Sequence, residues 1–264
     1  MFLLNPFSKT QIELPSLLLS EEEYGTFKDV AEDTNRPTHE VLLDRLVLKA
    51  ALLADPEKCS DYVIMVTSHS VSELKFWRSS DPSWSRIENP DRMFFDVIWY
   101  KGAFHALSLF NEVFEICLSP NLKLKQIACA WGLEGFCRYL VDCMGDLLIV
   151  NRITDETYTM HLYTRAFLVF KLDEKVMEFI KVKSIRDHAL FLGRNSTIAI
   201  PANEFPGCLS NSIYFMDDLA VTSHEYGYED FGLYNMRDKI FEIFPPKDVY
   251  TTSKFQPLWL EACP

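Results

Sequence analysis

Apolar positions along this chain fall in short runs broken by turn-forming residues, and no window keeps the spacing of a long amphipathic helix. Ala189 to Leu192 is one such run, stopped at Gly193-Arg194-Asn195, residues that suit the positive φ of a tight turn. Ser196 to Ile200 then alternates, with Ile198 and Ile200 on one side, and Pro201, which has no N–H to give to a ladder, closes the strand. Phe205-Pro206-Gly207 turns the chain once more, and Ile213 to Met216 resumes as a third strand ended by Asp217-Asp218. The pattern predicts a β-meander over Asp187 to Asp218.

The same grammar recurs elsewhere. Phe2 to Asn5 and Thr10 to Leu14 read as a strand pair around Pro6 to Lys9. Leu46 to Leu52 and Asp61 to Val66 flank the turn Pro56 to Ser60, and Leu74 to Trp77 pairs with Trp84 to Ile87 across Ser79 to Pro82. Phe94 to Tyr100 and Ala103 to Leu107 flank Lys101-Gly102, a two-residue hairpin signal. Further pairs are Val113 to Leu118 with Leu122 to Ile127, Tyr139 to Asp142 with Leu147 to Val150, and Phe167 to Leu172 with Met177 to Val182. An apolar residue in a first strand is followed, at separations of 11, 11, 11, 12 and 10, by one closing a second: Leu3 and Leu14, Phe76 and Ile87, Ile116 and Ile127, Phe170 and Val182, Leu233 and Ile243. Recurrent antiparallel units predict an all-β chain, a single β-propeller domain over 1–264 with about five or six blades. The chain opens directly in a strand, so the first blade is allowed to be incomplete. A two-domain β-sandwich is the rival fold, and the absence of Trp-Asp and Gly-Gly pairs sets aside WD40 and kelch repeats.

Composition narrows the partners. The chain has 264 residues and a net charge of −12, from 26 basic and 38 acidic residues, which disfavours duplex nucleic acid. The acidic stretch within 20–40, with Glu21-Glu22-Glu23, Asp29, Glu32 and Asp33, reads as a solvated loop insertion with room for a helical turn. Seven cysteines at irregular spacing contain no C-x-x-C and fit free thiols in a reducing compartment. Met1-Phe2-Leu3-Leu4 runs straight into Asn5-Pro6, unlike a signal peptide, and Lys49 interrupts the longest apolar run, Leu46 to Ala54, so no membrane helix is expected. The expected setting is intracellular, cytoplasmic or nuclear.

Catalytic patterns are sparse. His39, His69, His105, His161, His188 and His224 stand apart, without an H-x-x-x-H pair for a metal, and no G-x-S-x-G elbow or phosphate-cradling glycine loop is present. Asp217-Asp218 reads as a strand-ending turn, and Asn195-Ser196-Thr197 as a hairpin turn rather than a glycosylated sequon. Trp131 to Phe136 reads as a covered turn between units that could alternatively line a binding mouth. The loop Ser223 to Asp230 carries His224, Glu225, Tyr226, Tyr228, Glu229 and Asp230 and is the candidate partner-contact loop, since loop tyrosines add contact area at small entropy cost. No catalytic, cofactor-binding or metal residue is expected.

Several segments resemble the KIB-type β-propeller domain of plant F-box proteins. They are Asp96-Val97-Ile98 with Lys101-Gly102-Ala103-Phe104, Phe170 to Glu174, Val182 to Ile185, and the block from Ala189 through Phe205-Pro206-Gly207 to Asp218. Gly232 to Met236, Pro257 to Leu260, and Leu3 to Phe7 with Ile12 to Pro15 extend the likeness over nearly the whole chain. Ile185-Arg186-Asp187 stands where the family usually has Leu-Gly-Asp. The resemblance implies a non-enzymatic protein-interaction propeller, the substrate-recognition part of an adaptor in a cullin-type ubiquitin ligase. Met1 to Leu19 does not read as a three-helix F-box, so a Skp-type linker is not expected as a direct partner. Two other readings stay open: a truncated relative that competes for the same partners without a ligase role, and a propeller hydrolase using Asp96, Asp217 and Asp218.

Overall fold

The computed structural model describes the chain apart from 1, 18–23, 26–27, 30, 33–37, 39–46, 48, 68–72, 88–91, 120, 134–136, 157–161, 194–195, 217–229 and 245–264. The strands are β1 (Phe2–Leu4), β2 (Gln11–Glu13), β3 (Lys49–Leu53), β4 (Val63–Thr67), β5 (Leu74–Arg78), β6 (Ser85–Ile87), β7 (Phe94–Tyr100), β8 (Ala103–Ser108), β9 (Glu112–Cys117) and β10 (Lys123–Cys129). They continue as β11 (Cys137–Cys143), β12 (Asp146–Glu156), β13 (Leu162–Asp173), β14 (Glu178–Val182), β15 (His188–Leu192), β16 (Thr197–Pro201), β17 (Ser212–Phe215), β18 (Gly232–Asn235) and β19 (Ile240–Ile243). Short strands joined by tight turns are what the apolar runs require. At Lys101-Gly102 and Met144-Gly145 both residues have positive φ, 44° and 86° in the first and 56° and 76° in the second, so each two-residue loop has the hand that matches strand twist.

Among the described residues the strands form a ribbon β1-β2 and four larger sheets, ordered β3-β4-β5-β6, β10-β9-β8-β7, β11-β12-β13-β14 and β16-β15-β17-β18-β19. The fold is all-β, and the described residues form four blade-like sheets with one short N-terminal ribbon, roughly compatible with the five or six units expected. The recurrent spacing near eleven marks hairpins without marking ladder partners: Phe76 faces Ser85, whereas Ile87 faces Leu74.

The expected meander over Asp187 to Asp218 is corrected. β15 pairs antiparallel with β16 on one side and parallel with β17 on the other, Ala189 facing Ser212 and Leu192 facing Phe215. The reason lies in burial. Ala189, Leu190 and Leu192 are fully buried, which suits a strand flanked on both edges, while Thr197, Ile198 and Ala199 of β16 are only half-buried and suit an edge. A single 3₁₀ turn, Ala202–Glu204, and Phe205-Pro206-Gly207 carry the chain back to β17, and Phe191 stacks on Tyr214 across the parallel pair at 4.5 Å.

Two compact units divide the chain, Met1–Trp99 and Tyr100–Trp259. In the first, Leu14, Tyr62, Ile64, Val66 and Trp77 are buried together, with Trp84 packed against them and donating its Nε1–H to the Pro15 carbonyl at 3.0 Å. Between β2 and β3, Tyr24, Gly25, Lys28, Asp29, Ala31 and Glu32 are helical, with Lys28 and Glu32 paired at 3.8 Å, so the acidic loop carries the helical turn it had room for. In the second unit the faces of β11–β14 and of β15–β19 close on Val150, Phe167, Val169, Leu190, Ile213 and Phe215. Among the described residues no helix is long and apolar enough to cross a membrane.

At Gly232 the space between β18 and β19 leaves no room for a side chain. A Cβ placed there would lie 2.3 Å from the Glu242 carbonyl oxygen and 3.1 Å from the Ile243 Cα, both backbone atoms that cannot rotate away. Gly232→Ala is expected to destabilise the protein by about 1–3 kcal/mol, as overpacking does, seen as a lower urea midpoint at unchanged slope.

Candidate functional site

Arg152 organises the second unit. It sits on β12 opposite Phe167 of β13, one residue before the ladder shifts register, from Ile153 facing Ala166 to Thr154 facing Thr164. That bulge brings Thr164 under the guanidinium. Arg152 Nε donates to Thr164 Oγ1 at 2.6 Å, Nη1 to the Met216 carbonyl at 2.8 Å and the Tyr139 hydroxyl at 3.3 Å, and Nη2 to Asp230 Oδ2 at 2.8 Å and the Asp230 carbonyl at 3.2 Å. These bonds match the five N–H donors of a guanidinium. Asp230 Oδ2 also accepts from the Thr164 N–H at 2.8 Å and the Thr164 hydroxyl at 2.7 Å. The guanidinium lies 5.1 Å over the Phe215 ring. One cation thus joins β12, β13, the end of β17 and the approach to β18. It is legible in sequence only as Asn151-Arg152 interrupting the apolar run of Leu147 to Ile153.

On the other side of Phe167 an aromatic seam continues through Tyr234, 5.5 Å away, to Phe241, 4.6 Å beyond it. Tyr234 is 5 % exposed, burial raises its phenol pKa, and its hydroxyl has no hydrogen-bond partner among the described residues. Here β13, β14 and the β18–β19 turn enclose a cleft of about 670 Å³. Its apolar lining includes Phe167, Val169, Val182, Tyr234 and Met236. Lys181, Lys183, Arg237 and Lys239 line it as well; all four are exposed, and none has an ion-pair partner among the described residues. Two asparagines set these walls. Asn235 Oδ1 accepts from the backbone N–H groups of Arg237 and Asp238 at 2.9 and 3.2 Å. Asn211 Oδ1 accepts from the Ser184 hydroxyl and the Ile185 N–H, both at 2.9 Å, while its carbonyl takes the Met236 N–H at 3.0 Å.

A second polar contact ties hairpin turns together. The Tyr100 hydroxyl lies 2.7 Å from the Gly145 carbonyl and 2.9 Å from Glu174 Oε1, which also accepts from Lys101 Nζ at 2.5 Å. Hydrogen bonding from Lys101 and Tyr100 holds the Glu174 carboxyl below the usual range, and the bond to Glu174 raises the Lys101 ammonium.

The candidates named from sequence separate. Of the contact loop, Asp230 is withdrawn: it is 3 % exposed and held by Arg152 and Thr164, because a carboxylate taken out of water must be paired. His224, Glu225, Tyr226, Tyr228 and Glu229 lie outside the described residues, as do Asp217, Asp218, Asn195, His39, His69 and His161. Asp96 is 2 % exposed and paired with buried Lys49 at 3.4 Å, an internal ion pair. The covered turn expected at Trp131 is corrected. Trp131 is 84 % exposed, and the bond from the Ala130 N–H to the Asn111 carbonyl, 2.9 Å, puts it at the same end of its sheet as Phe110, 60 % exposed. Of the histidines described, His188 lies 3.1 Å from Asp187, and buried His105 packs edge-on to Tyr100 and donates from Nδ1 to the Ala103 carbonyl at 3.2 Å. Among the described residues no three His, Cys, Asp or Glu side chains gather as metal ligands.

Successive hairpins stacked into sheets of four or five strands define the class: an all-β protein of blade-like sheets. The KIB1-4 beta-propeller family model matches residues 1–235, and the chain belongs to that family. Similar proteins of Arabidopsis thaliana include F-box protein At2g26160, 35 % identical over 152 residues that make up 55 % of this chain and 46 % of that protein. F-box protein At4g35733 is 31 % identical over 193 residues, 69 % of this chain and 53 % of that protein. F-box protein SKIP23 is 24 % identical over 216 residues, 75 % and 51 % respectively. The chain spans about half the length of the curated relatives it matches.

Two outcomes test the polar interior. Arg152→Leu strands the Asp230 carboxylate in the core and is expected to cost about 3–5 kcal/mol, with much of that regained in Arg152→Leu/Asp230→Leu; urea midpoints of the four proteins give the coupling. Burial holds the His105 imidazole below its usual value of 6.5. The unfolded chain therefore takes up that proton first as pH falls, so this share of stability is intact above 6.5 and is lost below it. Urea midpoints measured from pH 7.5 to 5.5 are expected to fall, and His105→Gln to flatten the decline.

Proposed function

We propose that this protein is a non-enzymatic interaction domain that holds a protein substrate or partner for a cullin-type ubiquitin ligase. The observation carrying this reading is membership of the KIB1-4 beta-propeller family, whose relatives bear the name F-box protein. The exposed pair Trp131 and Phe110 supports it physically: large apolar side chains left in water at one end of a sheet supply the anchors that concentrate binding energy in protein interfaces. The buried Asp96–Lys49 pair gives the hydrolase reading no solvent-facing carboxylate at that position. The remaining loop residues His224, Glu225, Tyr226, Tyr228 and Glu229 are proposed as additional contacts.

Capture from plant extract with quantitative mass spectrometry tests this. The full chain is expected to enrich a defined set of proteins over bead controls, and Trp131→Ala/Phe110→Ala to lower that enrichment at least about tenfold, the scale of losing an interface anchor. Enrichment no higher than the control, or unchanged by the double substitution, would overturn the assignment of this surface.

A further inference from the structure

The cleft between β13–β14 and the β18–β19 turn has features that the general reading does not use. The chain carries 38 acidic residues against 26 basic ones, yet four exposed cations line one cleft without a carboxylate partner among the described residues. Asp238 lies between Arg237 and Lys239 in sequence and pairs with neither. The cations come from separate segments, Lys181 and Lys183 from β14 and the residue after it, Arg237 and Lys239 from the β18–β19 turn. Asn235 fixes that turn, and Asn211 fastens it to Ser184-Ile185, so the two basic walls are set before anything binds. Between them lies an apolar lining that contains Tyr234, a phenol 5 % exposed whose hydroxyl finds no partner in the described protein.

We propose that this cleft docks an acidic peptide segment bearing an apolar side chain, the carboxylates meeting Lys181, Lys183, Arg237 and Lys239 and the apolar group resting on Ala166, Leu168 and Val182 beside the buried Phe167, Tyr234 and Met236. Charge complementarity selects the acid, because unpaired cations on an anionic protein hold an anion with the least competition from the protein's own carboxylates. The apolar lining selects a peptide over a bare anion, since an ion alone leaves the half-buried Ala166, Leu168 and Val182 facing water. The Tyr234 hydroxyl donates to the bound segment. This rests on the protein-interaction reading and names the chemistry of the partner.

The test uses the full chain and a fluorescein-labelled peptide of alternating Asp and Glu around a central Leu, read by anisotropy. Saturable binding that weakens with added salt is expected. Lys181→Glu/Arg237→Glu, one change on each wall, is expected to lower affinity at least about tenfold, as loss of charge-assisted bonds does, with its circular dichroism spectrum unchanged. Replacing the peptide's Leu by Ser is expected to weaken binding about tenfold through the lost apolar burial. Equal affinity for the Leu and Ser peptides, indifference to the double substitution, displacement by equimolar inorganic phosphate, or tighter binding of an oligouridine would each overturn the proposal. Capture from extract separates the two readings. Partners retained by the Lys181→Glu/Arg237→Glu protein would refute the cleft alone, whereas a wild-type chain that captures nothing refutes the interaction reading itself.

Discussion

The guanidinium of Arg152 is the constraint on which the second unit turns. A cation buried this deeply survives only when every N–H is answered, and the answers come from four places in the chain: Tyr139, Thr164, Met216 and Asp230. Because Arg152 faces Phe167 across the ladder and lies over Phe215, fixing it fixes both rings. Those rings in turn position Tyr234 and Phe241. The polar network and the aromatic seam form one construction, and the basic cleft opens on its outer side.

Much of the fold could be read directly from residues. Gly102 and Gly145, each closing a two-residue break between apolar runs, marked the tight hairpins at Lys101-Gly102 and Met144-Gly145. The parallel pairing of β15 with β17 was hidden, because alternation along a strand specifies its faces and says nothing of which neighbour it takes. Ala189 to Leu192 held the clue in being apolar at every position, the mark of a strand covered on both sides. The site was harder to read. Lys181 and Arg237 stand 56 positions apart, and only the packing of one sheet against the next brings them to one cleft. Asp230 misled in the opposite way, since a loop rich in Tyr and Glu suggests a surface while its last carboxylate turns inward.

Trp131 and the cleft, as proposed contact surfaces, differ in the style of recognition each would support. An indole left 84 % exposed gains by being covered, so it favours a partner that brings apolar area of its own. The cleft has modest apolar area and four charges, so the contribution proposed for it is steering and selectivity of a kind that salt weakens. A partner that engages both would be drawn in by charge and retained by area.

The Arg152–Asp230 contact also has a place in time. Its two residues are separated by 78 positions, and nothing local holds them together before both sheets exist. Closing a loop of that length carries a chain-entropy cost that the local hairpin contacts do not. An interaction completed after the rate-limiting step leaves the rate of folding almost untouched and slows the reverse reaction instead. Closed after that step, the guanidinium would act as a latch on the finished structure, setting how long the second unit stays folded.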